Sequence, residues 1–116
     1  NTVMQVLIRW LVATVAILIT AYVLPGVTVG GFFVAMLVAV ILGLVNIFIR
    51  PVLLLLTLPI NILTFGLFTF VINALMIMLV ARIVPGFMVD GFWWALGFGL
   101  LLSVVLSLLD MLLVRQ

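Results

Sequence analysis

Six side chains in this sequence can carry a formal charge: Arg9, Arg50, Arg82, Arg115, Asp90 and Asp110. Histidine, cysteine, lysine and glutamate are absent from all 116 residues. With them go the commonest general base, the thiolate nucleophile, the disulfide and most metal-ligand sets. What remains offers almost nothing to move a proton or hold a metal, so no catalytic residue, cofactor site or metal site is expected. The chain reads as a non-enzyme. Its arginines are scattered rather than clustered on one face, which argues against a nucleic-acid partner. The six methionines are scattered too and read as core filling.

The charged and amide residues still have a pattern. Arg50 and Asp110 are sixty positions apart, and each continues a stripe of small or polar residues at helical spacing. One stripe is Gly43, Asn46 and Arg50; the other is Ser103, Ser107 and Asp110. A two-fold axis relating the stripes would bring Arg50 and Asp110 together as an ion pair; alone, Arg50 would reach up to phosphate headgroups. Asn46 and Asn73 are the amides placed within apolar stretches. Asn73 is nearer the middle of its stretch, where an unpartnered amide is costly. It reads as a cross-helix hydrogen bond, with the lining of an aqueous path as the weaker alternative; Thr14 and Thr69 are its only candidate companions. Asp90-Gly91 reads as turn chemistry, with Arg82 as a local partner for the carboxylate.

The elements that carry these residues are apolar throughout. Hydrophobic residues make up 71% of the chain and charged residues 5%, against about a quarter charged in a soluble domain. Six charges cannot clothe such a body in water. Lipid is the remaining solvent, and a span needs about 20 apolar residues. Four stretches qualify, at roughly 6–24, 32–49, 62–84 and 92–114. Pro25-Gly26, Arg50-Pro51 and Pro85-Gly86 close the first three. The first ends in Pro-Gly without a clear small-x-small cleavage site, and reads as a permanent helix rather than a leader. Residues 50–61, "RPVLLLLTLPIN", are apolar but bracketed by two prolines. They fit a kinked extension, an interfacial piece or a re-entrant segment, with a short helix favoured because backbone in lipid must bond internally.

Residues 24–36, "LPGVTVGGFFVAM", return sixty positions later as "VPGFMVDGFWWAL". Sliding 21–51 onto 81–111 pairs Ala21 with Ala81, Pro25 with Pro85, Gly26 with Gly86, Val29 with Val89 and Gly31 with Gly91. Further on it pairs Phe32 with Phe92, Ala35 with Ala95, Leu42 with Leu102 and Val45 with Val105. The expected fold is therefore all-α: one transmembrane domain over 1–116, of four helices built as a tandem parallel repeat of two helix–turn–helix units. Repeat 1 covers about 1–60 and repeat 2 about 61–116. Each unit crosses twice, so both copies enter from the same side, about an axis along the membrane normal. The alternating turn residues in "GVTVGG" and "GFMVDG" suit a short two-stranded ribbon at the outer surface.

Small residues recur every four positions in the second span (Ala35, Ala39, Gly43) and the fourth (Ala95, Gly99, Ser103, Ser107). Such stripes let helices approach closely in lipid, and the repeat predicts that the second and fourth helices cross at the axis. Four spans put both termini on one side, together with Arg9, Arg50 and Arg115, and leave Arg82 on the other. Positive residues favour the cytoplasm, so both termini are expected inside. Phe32, Phe33, Phe92, Trp93 and Trp94 follow the outer turns, where rings suit the headgroup level.

The run "GLVNIFIRPVLLLLTLPINILTFGLFTFVINALM" at 43–76, with the two "PG…V.GF" turns, resembles phage holin family 4, small four-helix bacterial membrane proteins. The matching features are Asn46, Arg50 and Pro51, the Leu-rich segment to Pro59, and Asn73-Ala74-Leu75. The resemblance covers nearly the whole chain. It implies a multi-pass protein of the bacterial cytoplasmic membrane that self-associates and permits passage of a lytic enzyme; it brings no catalytic residues. A stable aqueous channel needs polar lining, and these spans offer little. Two functions therefore stand side by side: a holin-like oligomer, and a non-catalytic accessory or scaffold subunit of a larger membrane complex. The expected partners are membrane lipids with either further copies or other membrane-protein subunits.

Overall fold

The computed structural model describes residues 2–64 and 66–114. Helix α1 (Thr2–Val23) is followed by strand β1 (Val27–Val29) and helix α2 (Phe32–Phe48). Two short helices come next, α3 (Arg50–Leu56) and α4 (Leu58–Leu63), then α5 (Phe68–Ile83). Strand β2 (Phe87–Val89) and helix α6 (Phe92–Leu109) complete the order, and a π-helical turn over Asp110–Val114 extends α6.

Three apolar helices are long enough to cross a membrane: Thr2–Val23, Phe32–Leu56 and Phe92–Leu112. Helix α5 is shorter, at 16 residues, or about 24 Å at the helical rise. The expected start near Ile62 is displaced to Phe68 for a local reason. Gly66 adopts φ +86°, its N–H bonds to the carbonyl of Asn61 at 2.8 Å, and the chain turns there. Thr64 Oγ1 then accepts from the N–H of Phe68 at 3.3 Å and covers the opening turn of α5.

Residues 50–61 are mostly helical. Pro51 and Pro59 each occupy the first turn of a short helix, a position that tolerates proline. The ladder runs through Ile49, whose N–H bonds to Val45 and whose carbonyl accepts from Leu53, so α3 prolongs α2. It breaks at Thr57. A reciprocal pair, Asn61 Nδ2 to Thr69 Oγ1 at 3.2 Å and Thr69 Oγ1 to Asn61 Oδ1 at 3.3 Å, fastens α4 to α5.

The two turns meet as an antiparallel ribbon with Thr28 opposite Met88, Val27 opposite Val89 and Val29 opposite Phe87. The N–H of Gly30 donates to the carbonyl of Gly86 at 2.8 Å, and that of Asp90 to Gly26 at 2.9 Å. Those two bonds exchange under the sixty-residue offset. Gly31 and Gly91 precede α2 and α6 with φ of 143° and 138°, values that a side chain rarely tolerates. Each then accepts the first helical bond, from Ala35 and Ala95 respectively.

Around the bundle, α1 packs on α2 and α6, and α5 packs on α2 and α6. Helices α2 and α6 stand at opposite corners and make no more than marginal contact. The expected crossing of the second and fourth helices is therefore not formed. A small-residue stripe marks where a helix approaches closely, and here the neighbour is the adjacent hairpin helix. A Cβ on Gly99 would lie 3.0 Å from Ile77 Cδ1 and 3.9 Å from Asn73 Cβ, both on α5. Ala35 and Ala95 are fully buried, whereas a Cβ on Gly43 would touch nothing within 4 Å. The core under the ribbon is closed by Phe87, Phe98, Val38 and Val80, all essentially buried. The Phe87 and Phe98 rings are tilted at 5.6 Å.

Candidate functional site

Polar residues gather around three adjoining cavities opposite the ribbon. The first, about 210 Å³, lies between α2, α5 and α6 and is lined by Asn46, Arg50, Asn73 and Ser103 with Gly99 and Leu106. The second, about 220 Å³, lies between α1 and α6 and holds Arg9, Ser107 and Asp110. A third, about 120 Å³, is mainly apolar, with Ala13, Ala39, Gly43 and Asn46 on its wall.

Arg50 and Asp110 thus line different cavities, and no bond joins them among the described residues. The expected pair is replaced by a different neighbourhood. Because α6 lies beside α1 and diagonal to α2, Asp110 shares its cavity with Arg9. Sequence reasoning treated Arg9 only as a vote on orientation. Its position on α1, which packs on α6, was the signal for a shared site.

Arg50 is half-buried, and its Nε is buried without a hydrogen-bond partner among the described residues. Asn73 is half-buried one turn from the tightest α5–α6 contact. Its amide forms no cross-helix bond among the described residues, contrary to expectation, and faces the cavity instead. The companions proposed for it are engaged elsewhere: Thr14 Oγ1 donates to Trp10 O at 2.8 Å, and Thr69 is bonded to Asn61. A membrane-buried threonine satisfies its hydroxyl on its own helix, which is also what Thr20 and Ser103 do. Asn46 is exposed at the shared mouth of two cavities. Arg82 and Asp90 are both exposed and unjoined by an ion pair among the described residues. Arg115 lies outside the described residues.

At the ribbon end, Phe33 is 69% and Trp93 77% exposed, and Phe32 also faces outward. Phe92 is half-buried and meets Trp93 edge-on at 5.4 Å. Trp94 has a further role that sequence did not reveal. Its indole covers Gly26, where a Cβ would overlap the ring. The equivalent contact in the other half sets Gly86 against Val34, at 3.1 Å from a built Cβ.

The arrangement is therefore an apolar cylinder, packed shut at the ribbon end and polar-lined at the other. A family model for the mycobacterial four-transmembrane-segment phage holins, superfamily IV, matches residues 4–108. The chain belongs to this family. As a holin-family membrane protein it is similar to the uncharacterized membrane protein YvlD of Bacillus subtilis, 35% identical over 104 residues, covering 84% of this chain and 87% of that one. It is also similar to an uncharacterized protein of Streptomyces coelicolor, 47% identical over 72 residues. That match covers 59% of this chain and 58% of the Streptomyces protein. No solved structure matches.

Proposed function

We propose that this holin-family chain is an integral protein of the bacterial cytoplasmic membrane, with both termini inside, that works by helix packing and association with copies of itself. The observation that carries this is the contrast between its surfaces. Large apolar side chains are exposed on all the long helices, while the interior beneath the ribbon is filled by Phe87, Phe98, Val38 and Val80. Beneath the ribbon the described residues leave no aqueous path through a single bundle, so permeabilisation would arise between bundles or after they rearrange. The matched register of the ribbon and the exchangeable Gly30–Gly86 and Asp90–Gly26 bonds support a tandem parallel repeat about an axis along the membrane normal.

The same closed interior favours a second function, an accessory or scaffold subunit whose apolar faces are covered by other membrane proteins. The test is native mass analysis of the protein extracted from its own membrane in mild detergent, with identification of co-extracted proteins. A homo-oligomer that releases dye from vesicles on reconstitution is the expected result. A stoichiometric foreign subunit, with no leakage, would assign the accessory role instead.

A further inference from the structure

We infer that the cavity between α2, α5 and α6 is a phosphate-binding site, with Arg50 as its charged ligand and the Asn73 and Asn46 amides as additional donors. Among the described residues Arg50 is the only formal charge on the cavity wall, and its Nε is buried with no partner there. Arginine stays ionised at any relevant pH, and a buried guanidinium N–H left without an acceptor is unfavourable. The described carboxylates lie elsewhere: Asp110 lines the neighbouring cavity with Arg9, and Asp90 is exposed beside the ribbon. Among the described residues no carboxylate lines the cavity with Arg50.

Chemistry and size narrow the nature of the ligand. A guanidinium fork matches the oxygens of a phosphate, and two amides with no side-chain bonds among the described residues can add N–H donors from α2 and α5. The Ser103 hydroxyl already donates to Gly99 O at 2.9 Å and can only accept from a ligand. The volume, about 210 Å³, suits one phosphate with a few waters and falls below the roughly 300 Å³ of a drug-sized ligand site. Position favours access from the membrane interface. Arg50 lies eighteen residues along the α2–α3 run from Phe32, or about 27 Å, close to the thickness of the hydrocarbon layer. With Phe32 at the outer interface, Arg50 reaches the level of the opposite headgroups. A lipid phosphate and a free phosphate share this chemistry, and the experiment separates them.

The full chain in dodecyl maltoside would be titrated with phosphatidylglycerol, with diacylglycerol as a phosphate-free control and with inorganic phosphate. Bound lipid is read by native mass spectrometry and inorganic phosphate by thermal shift. For a lipid headgroup, phosphatidylglycerol should outbind diacylglycerol, and Arg50→Gln should weaken it about tenfold or more, as for loss of a charge-assisted bond. Arg9→Gln, which changes a charge at the same end, should alter it less than about twofold. A thermal shift by inorganic phosphate that disappears in Arg50→Gln would identify free phosphate as the ligand. Equal binding of the two lipids with no phosphate shift, or equal losses in the Arg9 and Arg50 variants, overturns the site. If Arg50→Gln does not fold, Asn73→Ala carries the comparison, and unchanged binding there is equally decisive against it.

Discussion

At the scale of single residues, the tightest constraint is the contact of Trp94 with Gly26. A methyl group at Gly26 would collide with the indole, and overpacking of this kind costs about 1–3 kcal/mol. Gly26→Ala should lower the melting temperature in detergent. Trp94→Ala should lower it too, by removing apolar contact. The double variant should lose less than the sum, because the ring that the methyl strikes is gone. Strictly additive losses would show that the two positions do not meet. Nothing in the sequence pointed to this pair, because 68 positions separate them and only the folded turns bring them together. Trp93, which faces outward, was legible from its place after the turn. Asn73 was legible as a costly amide within a span, but not as a cavity residue. Which neighbour an amide faces depends on helix rotation, and an almost uniformly apolar helix gives little periodic signal for that.

At the scale of elements, four apolar runs and two Pro-Gly turns gave the spans, and alternating turn residues gave the ribbon. Both follow from local chemistry: length against bilayer thickness, and backbone groups that need partners. Helix adjacency did not follow. Small residues at four-residue spacing mark close approach without naming the partner, and α6 uses Gly99 against α5 rather than α2. Cysteine crosslinking separates the two arrangements cleanly, since the native chain has no cysteine. A Cβ on Gly99 lies 3.9 Å from Asn73 Cβ, within the span of a disulfide. Asn73→Cys with Gly99→Cys should therefore form an intramolecular bridge under mild oxidation, seen as a mobility shift that reductant reverses. Ala39→Cys with Gly99→Cys should not bridge within one subunit. The reverse pattern would restore the α2–α6 crossing. A bridge from position 39 or 99 between subunits would instead assign that stripe to assembly.

At the scale of the whole molecule, few charges distinguish one insertion from its inverse. The hydrophobic term is nearly the same either way, because spans of similar length cross the same bilayer. Orientation then rests on a few charges. Arg9 and Arg50 lie at the cavity end and Arg82 near the ribbon, and positive residues are retained in the cytoplasm. The aspartates do not offset this, because acidic residues contribute little to the rule. The ribbon should therefore face outward. Single-cysteine variants at exposed Asp90 and Pro59 make the test direct. A membrane-impermeant maleimide should label Asp90→Cys in intact cells, and Pro59→Cys only after the membrane is opened. So small a charge bias should also be reversible. Removing Arg9 and Arg50 while placing arginines at the exposed ribbon positions Thr28 and Met88 should exchange the two labelling patterns. Labelling of Pro59→Cys from outside in the native chain would place the cavities on the outer face. A mixture of both patterns would mean that the chain inserts both ways.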